Sequence, residues 1–324
     1  MPATRRAAIV MLAAAPLVGA TTPALAAPLL PQLEIMAPAA AGSGWSQTAQ
    51  AMKQALEGEG LVARVAIVQV PGAGGTVGLA RFVKERRGRG DAVLLTGLVM
   101  VGAVLAGKPA ASLDDVTPLA RLAGDYEVVV VPAGSDIKTL TDLTLRLATD
   151  TRSVSWAGGS LGGTDHMLAA LLTHEVGGEV VHLHYAPYAG GGESLAALLG
   201  GHVTVGVNGY QEFATEIAAG RLRALAISAP GPVPGIDIPT FEEQGVPLEL
   251  VDWRGVMAAP GIDAAQAQAL GELIARMVRT STWKATLEQR RWQDLYQPAE
   301  AFGAFLEEER RRVRELLARA RLVK

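Results

Sequence analysis

Val154-Ser155-Trp156-Ala157-Gly158-Gly159-Ser160-Leu161-Gly162-Gly163-Thr164-Asp165-His166 reads as a strand running into a glycine turn and out into a helix. Val154 and Trp156, on either side of Ser155, suit a short strand at 154–156, and residues 164–175 repeat their apolar positions at helical spacing. Three more turns of this kind occur: Ala40-Ala41-Gly42-Ser43-Gly44, Pro71-Gly72-Ala73-Gly74-Gly75 and Ala189-Gly190-Gly191-Gly192. Glycine lets the backbone approach a ligand closely. A helix that opens just after such a turn presents unpaired N–H groups and a positive dipole end. Four such turns in one chain predict a shared anion site built from main chain.

Outward from these turns, strands are expected at 33–37, 65–70, 93–96, 128–131, 154–156, 180–184, 203–207 and 223–227. They alternate with helices at 45–56, 77–84, 164–175 and 193–199. The alternation predicts an α/β architecture with parallel sheets, in which ligands bind beyond the carboxyl ends of the strands. The four turns fall at that end. The last quarter reads as mostly helical, at 263–280, 283–289 and 299–320. In its final helix Phe302, Phe305, Leu306, Val313, Leu316 and Leu317 form one apolar face. Glu307 with Arg311, and Glu308 with Arg312, are i,i+4 pairs expected on the wet face. The Pro/Gly-rich passage 230–235 and a strand-like crossing near 125–131 predict an inserted domain. Residues 27–127 and 236–324 form one domain on this reading, and 128–235 the other.

The 324 residues suffice for two cores. Residues 1–26 read as a secretory leader. Arg5 and Arg6 make its basic end, 7–20 its apolar stretch, and Ala24-Leu25-Ala26 a cleavage site. The arginine pair also fits a twin-arginine signal, but the ordinary export signal is the reading adopted. The apolar run 94–105 is broken by Gly97 and Gly102 and too short to span a membrane. Cysteine is absent, so disulfides and lipid attachment through cysteine are excluded. These features predict an exported, periplasmic protein. Loss of a leader with two arginines and no acid takes the formal charge from −3 to −5. No nucleic-acid partner is expected.

The turns separate several chemistries. Ser43 or Ser46 is placed to cap the helix that includes Trp45. Gly72-Ala73-Gly74-Gly75-Thr76-Val77-Gly78 fails the dinucleotide fingerprint, which needs glycine at 77, and lacks the Gly-Lys-Ser/Thr of a P-loop. No cofactor is expected. Gly158-Gly159-Ser160-Leu161-Gly162 matches G-x-S-x-G, so a secreted serine hydrolase centred on Ser160 is the competing reading. Its partners are missing. Asp165 and His166 are too close in sequence, and no well-separated acid precedes His174, His182, His184 or His202. No catalytic residue is therefore assigned. His182-Leu183-His184 has strand spacing, but without cysteine or an HExxH motif no metal site is expected.

The segments 37–50, 70–80, 157–167 and 186–209 contain no lysine or arginine. An anion there must be held by backbone N–H groups, hydroxyls and helix dipoles. Arg254, in Trp253-Arg254-Gly255, either reaches the cleft or forms a structural ion pair. Asp165 and Glu193 sit in first helical turns, where a carboxylate suits the dipole, and each is also placed to accept from a ligand hydroxyl.

In order and spacing these segments resemble the extracytoplasmic substrate-binding receptors of tripartite tricarboxylate transporters, the Bug receptors. The stretches that carry the resemblance include 40–48, 72–78, 98–103, 115–122, 188–193, 198–203, 222–228 and 253–256. The Trp-Ala-Gly-Gly-Ser-x-Gly-Gly-Thr-Asp-His form at 156–166 is similar to the tricarboxylate branch. The resemblance implies a two-domain periplasmic binding protein of type II, with α/β sandwiches joined by crossing strands and closing like a clamshell. It implies a small di- or tricarboxylate ligand, citrate-like by default, held by the first two turns and covered by the second domain. Delivery to a membrane permease follows, with a sensor kinase as the alternative recipient and a monomer as the expected state. The resulting candidate set is Ala41, Gly42, Ser43, Gly44, Trp45, Ser46, Gly72, Ala73, Gly74, Gly75, Thr76, Gly97, Gly158, Gly159, Ser160, Gly163, Thr164, Asp165, His166, Tyr188, Gly190, Gly191, Asn208 and Arg254. A side chain at Gly74 is expected to fill ligand space while leaving the fold intact. Where the family usually has an aspartate in the first loop, this chain has Ser46. Ser43 replaces a glycine, and Gln69 replaces an asparagine. Loss of the acid favours a more highly charged anion, or one lacking an amine.

Overall fold

A computed structural model describes residues 28–188, 190–319 and 321–322. The expected leader and Ala189 of the fourth turn lie outside the described residues. The chain begins with β1 (Leu33–Ala37), α1 (Gly44–Gly58), β2 (Val65–Gln69), α2 (Thr76–Glu85), β3 (Ala92–Gly97) and α3 (Leu98–Ala106). A long strand, β4 (Thr117–Pro132), then leads to α4 (Leu140–Thr149), β5 (Ser155–Gly158), α5 (Thr164–Glu175), β6 (His184–Pro187) and α6 (Gly191–Leu199). Next come β7 (Val205–Gly209), α7 (Tyr210–Ala218) and β8 (Leu222–Ile227). The chain closes with β9 (Val251–Ala258), α8 (Ala264–Met277), α9 (Ser281–Arg290), β10 (Gln293–Pro298) and α10 (Ala299–Arg319).

β4 belongs to two sheets. Its first part, Thr117 to Tyr126, pairs with β9, and β10 pairs on its other edge. From Glu127 to Pro132 it pairs with β7 and β8. The first sheet is ordered β2-β1-β3-β9-β4-β10, and the second β8-β4-β7-β5-β6. Pairing is parallel among β1, β2 and β3 and among β5, β6 and β7. It is antiparallel wherever β4 or β9 takes part. The sheets are thus mixed rather than purely parallel, because the strands that pass between lobes cannot follow the right-handed βαβ path of their neighbours.

The crossing is tied by one hydroxyl. Ser228 Oγ accepts from the Glu127 N–H at 2.9 Å and donates to the Leu250 carbonyl at 2.6 Å. Ser228 is fully buried, so no water replaces either bond. The return crossing runs from Ser228 to Val251. Within it, Thr240 bridges Ile227, and Ile236 and Ile238 pack in the core of the second sheet.

Several expected elements shift. Residues 180–184 do not form a strand. Val180–His182 is a 3-10 turn, and β6 begins at His184. His182 faces Arg152 and Glu179 instead of sharing a strand face with His184. The apolar run after β3 bends into α3, which buries Leu98, Met100, Val101 and Gly102. β9 and β10 interrupt the helical last quarter. On α10 the ion pairs are i,i+3, Arg311 with Glu308 and Arg312 with Glu309. Glu309 is buried, because its Oε1 accepts from Trp253 Nε1 at 2.8 Å. Among the described residues no helix is long and apolar enough to cross a membrane.

Candidate functional site

The glycine turns follow β1, β2, β5 and β6 and open α1, α2, α5 and α6. They bring helix N-termini to one cleft between the sheets. The cleft has two chambers that meet at Ala39, Trp45, Ser160 and Tyr188. The larger, about 980 Å³, is walled by Gly72, Ala73, Gly74, Gly75 and Thr76 on one side and by Ser160 and His166 on the other. Ala103, Ala106, Leu161 and Pro187 make much of its lining apolar, and the exposed Lys108 stands on it as well. The smaller, about 120 Å³, lies toward the crossing strands. Ser43, Gly44, Gly159, Gly163, Thr164, Asp165, Gly190, Gly191, Asn208 and Arg254 line it.

Five candidates do not line either chamber. Ala41 and Gly42 are exposed ahead of α1. Ser46 is buried, and its Oγ accepts from Gln69 Nε2 at 2.9 Å. Two of the three positions singled out in the sequence, Ser46 and Gln69, are therefore partners, a short hydroxyl and a long amide that join α1 to the end of β2. The helix cap is Ser43, whose Oγ accepts from the Ser46 N–H at 3.3 Å. Gly97 is needed for packing, since a Cβ there would meet the Trp253 carbonyl at 2.5 Å. Gly158 lies beneath α5, where a Cβ would meet Tyr185 Oη at 2.4 Å. Gly74 departs from expectation as well. Its φ is +60°, and its Cβ would point at Ala103 Cβ, 2.6 Å away, so a side chain strains the fold before it reaches ligand space.

The small chamber holds charge that the turns do not display. Arg254 reaches it and also forms an ion pair, with Nη2 donating to Asp252 Oδ2 at 3.1 Å. Its guanidinium lies against Gly44 at the start of α1 and over the Trp292 ring, 5.1 Å from the centroid. Arg254 Nη1 is buried with no hydrogen-bond partner. Around it stand Glu127, Asp165, Glu212 and Asp252. Asp165 accepts from the Gly159 N–H, and Thr164 Oγ1 donates to Asp252 Oδ1 at 3.0 Å, which links the two lobes. Burial, and then the charge of Asp252, pushes the Asp165 carboxyl up to about 7 despite the Gly159 bond. Burial and then Asp165 raise Glu212 to about 8. Burial first, then Asp165, Asp252, Asp125 and Glu212, holds Glu127 well above the usual carboxylate range. Glu127, Glu212 and Asp252 carry no sequence motif. Only the register of β4 against β7, and of β4 against β9, brings them together.

The Ser160 turn lacks the contacts of a nucleophile elbow. Asp165 is bonded to the Gly159 amide, and His166 Nδ1 accepts from the Gly162 N–H at 3.0 Å. Among the described residues Ser160 Oγ makes no hydrogen bond to a histidine. Burial lowers His166 to about 4, so its ring is neutral near pH 7. Among the described residues no group of three or more His, Cys, Asp or Glu is arranged to hold a metal.

A family model described as the tripartite tricarboxylate transporter family receptor matches residues 48–322. The chain belongs to that family. The receptor is 27% identical over 236 residues to a protein of Pseudomonas sp. (strain P51), described as the UPF0065 protein in the tcbD-tcbE intergenic region. The match spans 71% of the receptor and 69% of that relative. Its fold is similar to that of the periplasmic binding protein BugD, with a TM-score of 0.81, 20% identity, and coverage of 90% of the receptor and 98% of BugD. It is also similar to MatC from Rhodopseudomonas palustris with bound malate, with a TM-score of 0.78, 21% identity, and coverage of 88% and 98%. The receptor therefore has the two-domain α/β fold of periplasmic binding proteins.

Proposed function

We propose that this receptor works in the periplasm, captures a small carboxylate in the inter-lobe cleft and delivers it to the permease of a tripartite tricarboxylate transporter. The observation that carries the reading is the wall formed by α1 and α2. Both helices aim their N-termini at the cleft, neither has an acid in its first turn, and Arg254 offers an unpaired donor beside α1. Such a wall favours carboxylate oxygens. MatC, of the same fold, is described with bound malate. Malate, adipate or citrate fits the class by size, although the acids of the small chamber weigh against the most highly charged of them.

The lobes on this reading are residues 28–126 with 251–319, and residues 127–250. The change of pairing between Tyr126 and Glu127 and the Ser228 tie support that division. Ligand binding would draw the population toward the closed form, in which Thr164 meets Asp252. The test is thermal unfolding of the mature chain against a broad carboxylate panel. A ligand at about 100 times its Kd raises stability by about 2.7 kcal/mol, a shift of several degrees. Absence of a shift with every carboxylate overturns the reading.

A further inference from the structure

The two walls of the cleft differ in charge. On the first lobe, α1 and α2 carry no acid in the first turn. On the second, α5 carries Asp165 and α7 carries Glu212, and both line the small chamber. Glu127 and Asp252, on the crossing strands, complete the acidic floor. Two buried atoms there lack partners, and they are of opposite kind: the donor Arg254 Nη1 and the acceptor Glu127 Oε2. Arg254 is 5% exposed and Glu127 2%. Asp165 lines the same chamber as Glu127, and its carboxyl is pushed up to about 7 by burial. A bare dicarboxylate would answer the donor only. It would leave Glu127 unpaired and bring a second negative charge to the floor.

We infer that the ligand is an ammonium carboxylate, whose carboxylate meets Arg254 and the α1 N-terminus and whose ammonium meets Glu127, Asp165 and Glu212. The inference rests on the carboxylate-receptor reading and specifies its ligand class. The ammonium answers the unpartnered Glu127 Oε2, and charge-assisted bonds to it are stronger than bonds between neutral groups. The apolar lining of the larger chamber leaves room for a carbon skeleton. This reverses what the absence of an acid at Ser46 suggests from sequence, since the negative charge is supplied by other elements.

The experiment is calorimetric titration of the mature chain with the straight-chain dicarboxylates from succinate to adipate. Each is matched with amino acids of the same chain length that carry an ammonium beside, or in place of, one carboxylate. The expected result is an amino acid that binds at least about tenfold tighter than its matched dicarboxylate. Glu212→Gln and Glu127→Gln should each shrink that preference by about tenfold, read as the ratio of the two affinities in the same variant. Glu212→Gln keeps the test open should Glu127→Gln disturb the crossing strands. Equal or tighter binding of the dicarboxylates overturns the ammonium inference and leaves the carboxylate receptor standing. So does an amine preference that survives Glu212→Gln in a folded protein. If neither class binds, the carboxylate-receptor reading falls with it.

Discussion

The walls of the cleft are built from the same local unit, a strand, a glycine turn and a helix, yet they present opposite surfaces. The wall of α1 and α2 has no acid in either first turn and is positive through its backbone and Arg254. In the wall of α5, α6 and α7, each helix has an acid in its first turn, Asp165, Glu193 and Glu212. A carboxylate within one turn of a helix N-terminus cancels much of the roughly half-unit dipole charge there. On the proposed reading, the same backbone motif serves an anion in one lobe and a cation in the other. What separates them is one side chain per helix.

The largest expected effect comes from breaking the first wall at its backbone. Gly74→Val must adopt φ near +60° and press against Ala103. Left-handed strain and overpacking together cost about 3 kcal/mol. Denaturant unfolding should therefore show a lower midpoint before any ligand is added, and an unchanged midpoint would return Gly74 to the role of a ligand-facing residue.

Arg254→Met removes the charged donor of that wall while keeping side-chain volume. Loss of one charge-assisted bond is worth about 2 kcal/mol, so affinity for every carboxylate should fall roughly thirtyfold in titrations. Asp252 is left without its cation, which also lowers stability. Undiminished affinity would mean that α1 and α2 hold the carboxylate by backbone alone.

The smallest effect sharpens the second wall. Asp165 sits at about 7 and Glu212 at about 8 in the folded protein, against ordinary values of 3.8 and 4.5. Asp125, buried at the crossing, sits at about 7 as well. Between the two sets of values the folded chain keeps protons that the unfolded chain has released, so stability falls as pH rises. His166 opposes this only between 6.5 and about 4, where the unfolded ring binds a proton that the buried ring refuses. Above 6.5 the carboxyls act alone, and the melting temperature of the free protein should decline by a few degrees up to about pH 8. Glu212→Gln should flatten the decline. The groups facing Glu212 are Asp165, Arg254, Asp125 and Asp252, and only Arg254 among them resists the shift. An ammonium ligand, which favours the ionised floor, should bind more tightly across the same interval, and a dicarboxylate less tightly. A melting curve that is level with pH would mean that water reaches these carboxyls freely.

Much of the fold is legible locally. The helix at Thr164–Glu175 matches its sequence reading residue for residue, and β1 spans the expected 33–37. In both, apolar periodicity, glycine and the flanking turns agree. Where they conflict the sequence misleads: Val180 and Val181 favour a strand, but the chain there turns in a 3-10 helix between α5 and β6. β9 and β10 escape notice because their mates on β4 lie more than 120 residues away in the chain. The turns name most residues of the cleft. They do not name Glu127, Glu212 or Asp252, which follow from strand register.

Sequence alone determined the α/β architecture, the glycine turns at strand ends and the carboxylate-receptor family, because periodicity and turn chemistry act over a few residues. The tertiary structure decided the sign of each wall. It paired Ser46 with Gln69, set Gly74 against Ala103 and gathered four acids around one arginine. Electrostatic character in a buried cleft depends on distance and on the exclusion of water, and both are fixed only when separate strands come into register.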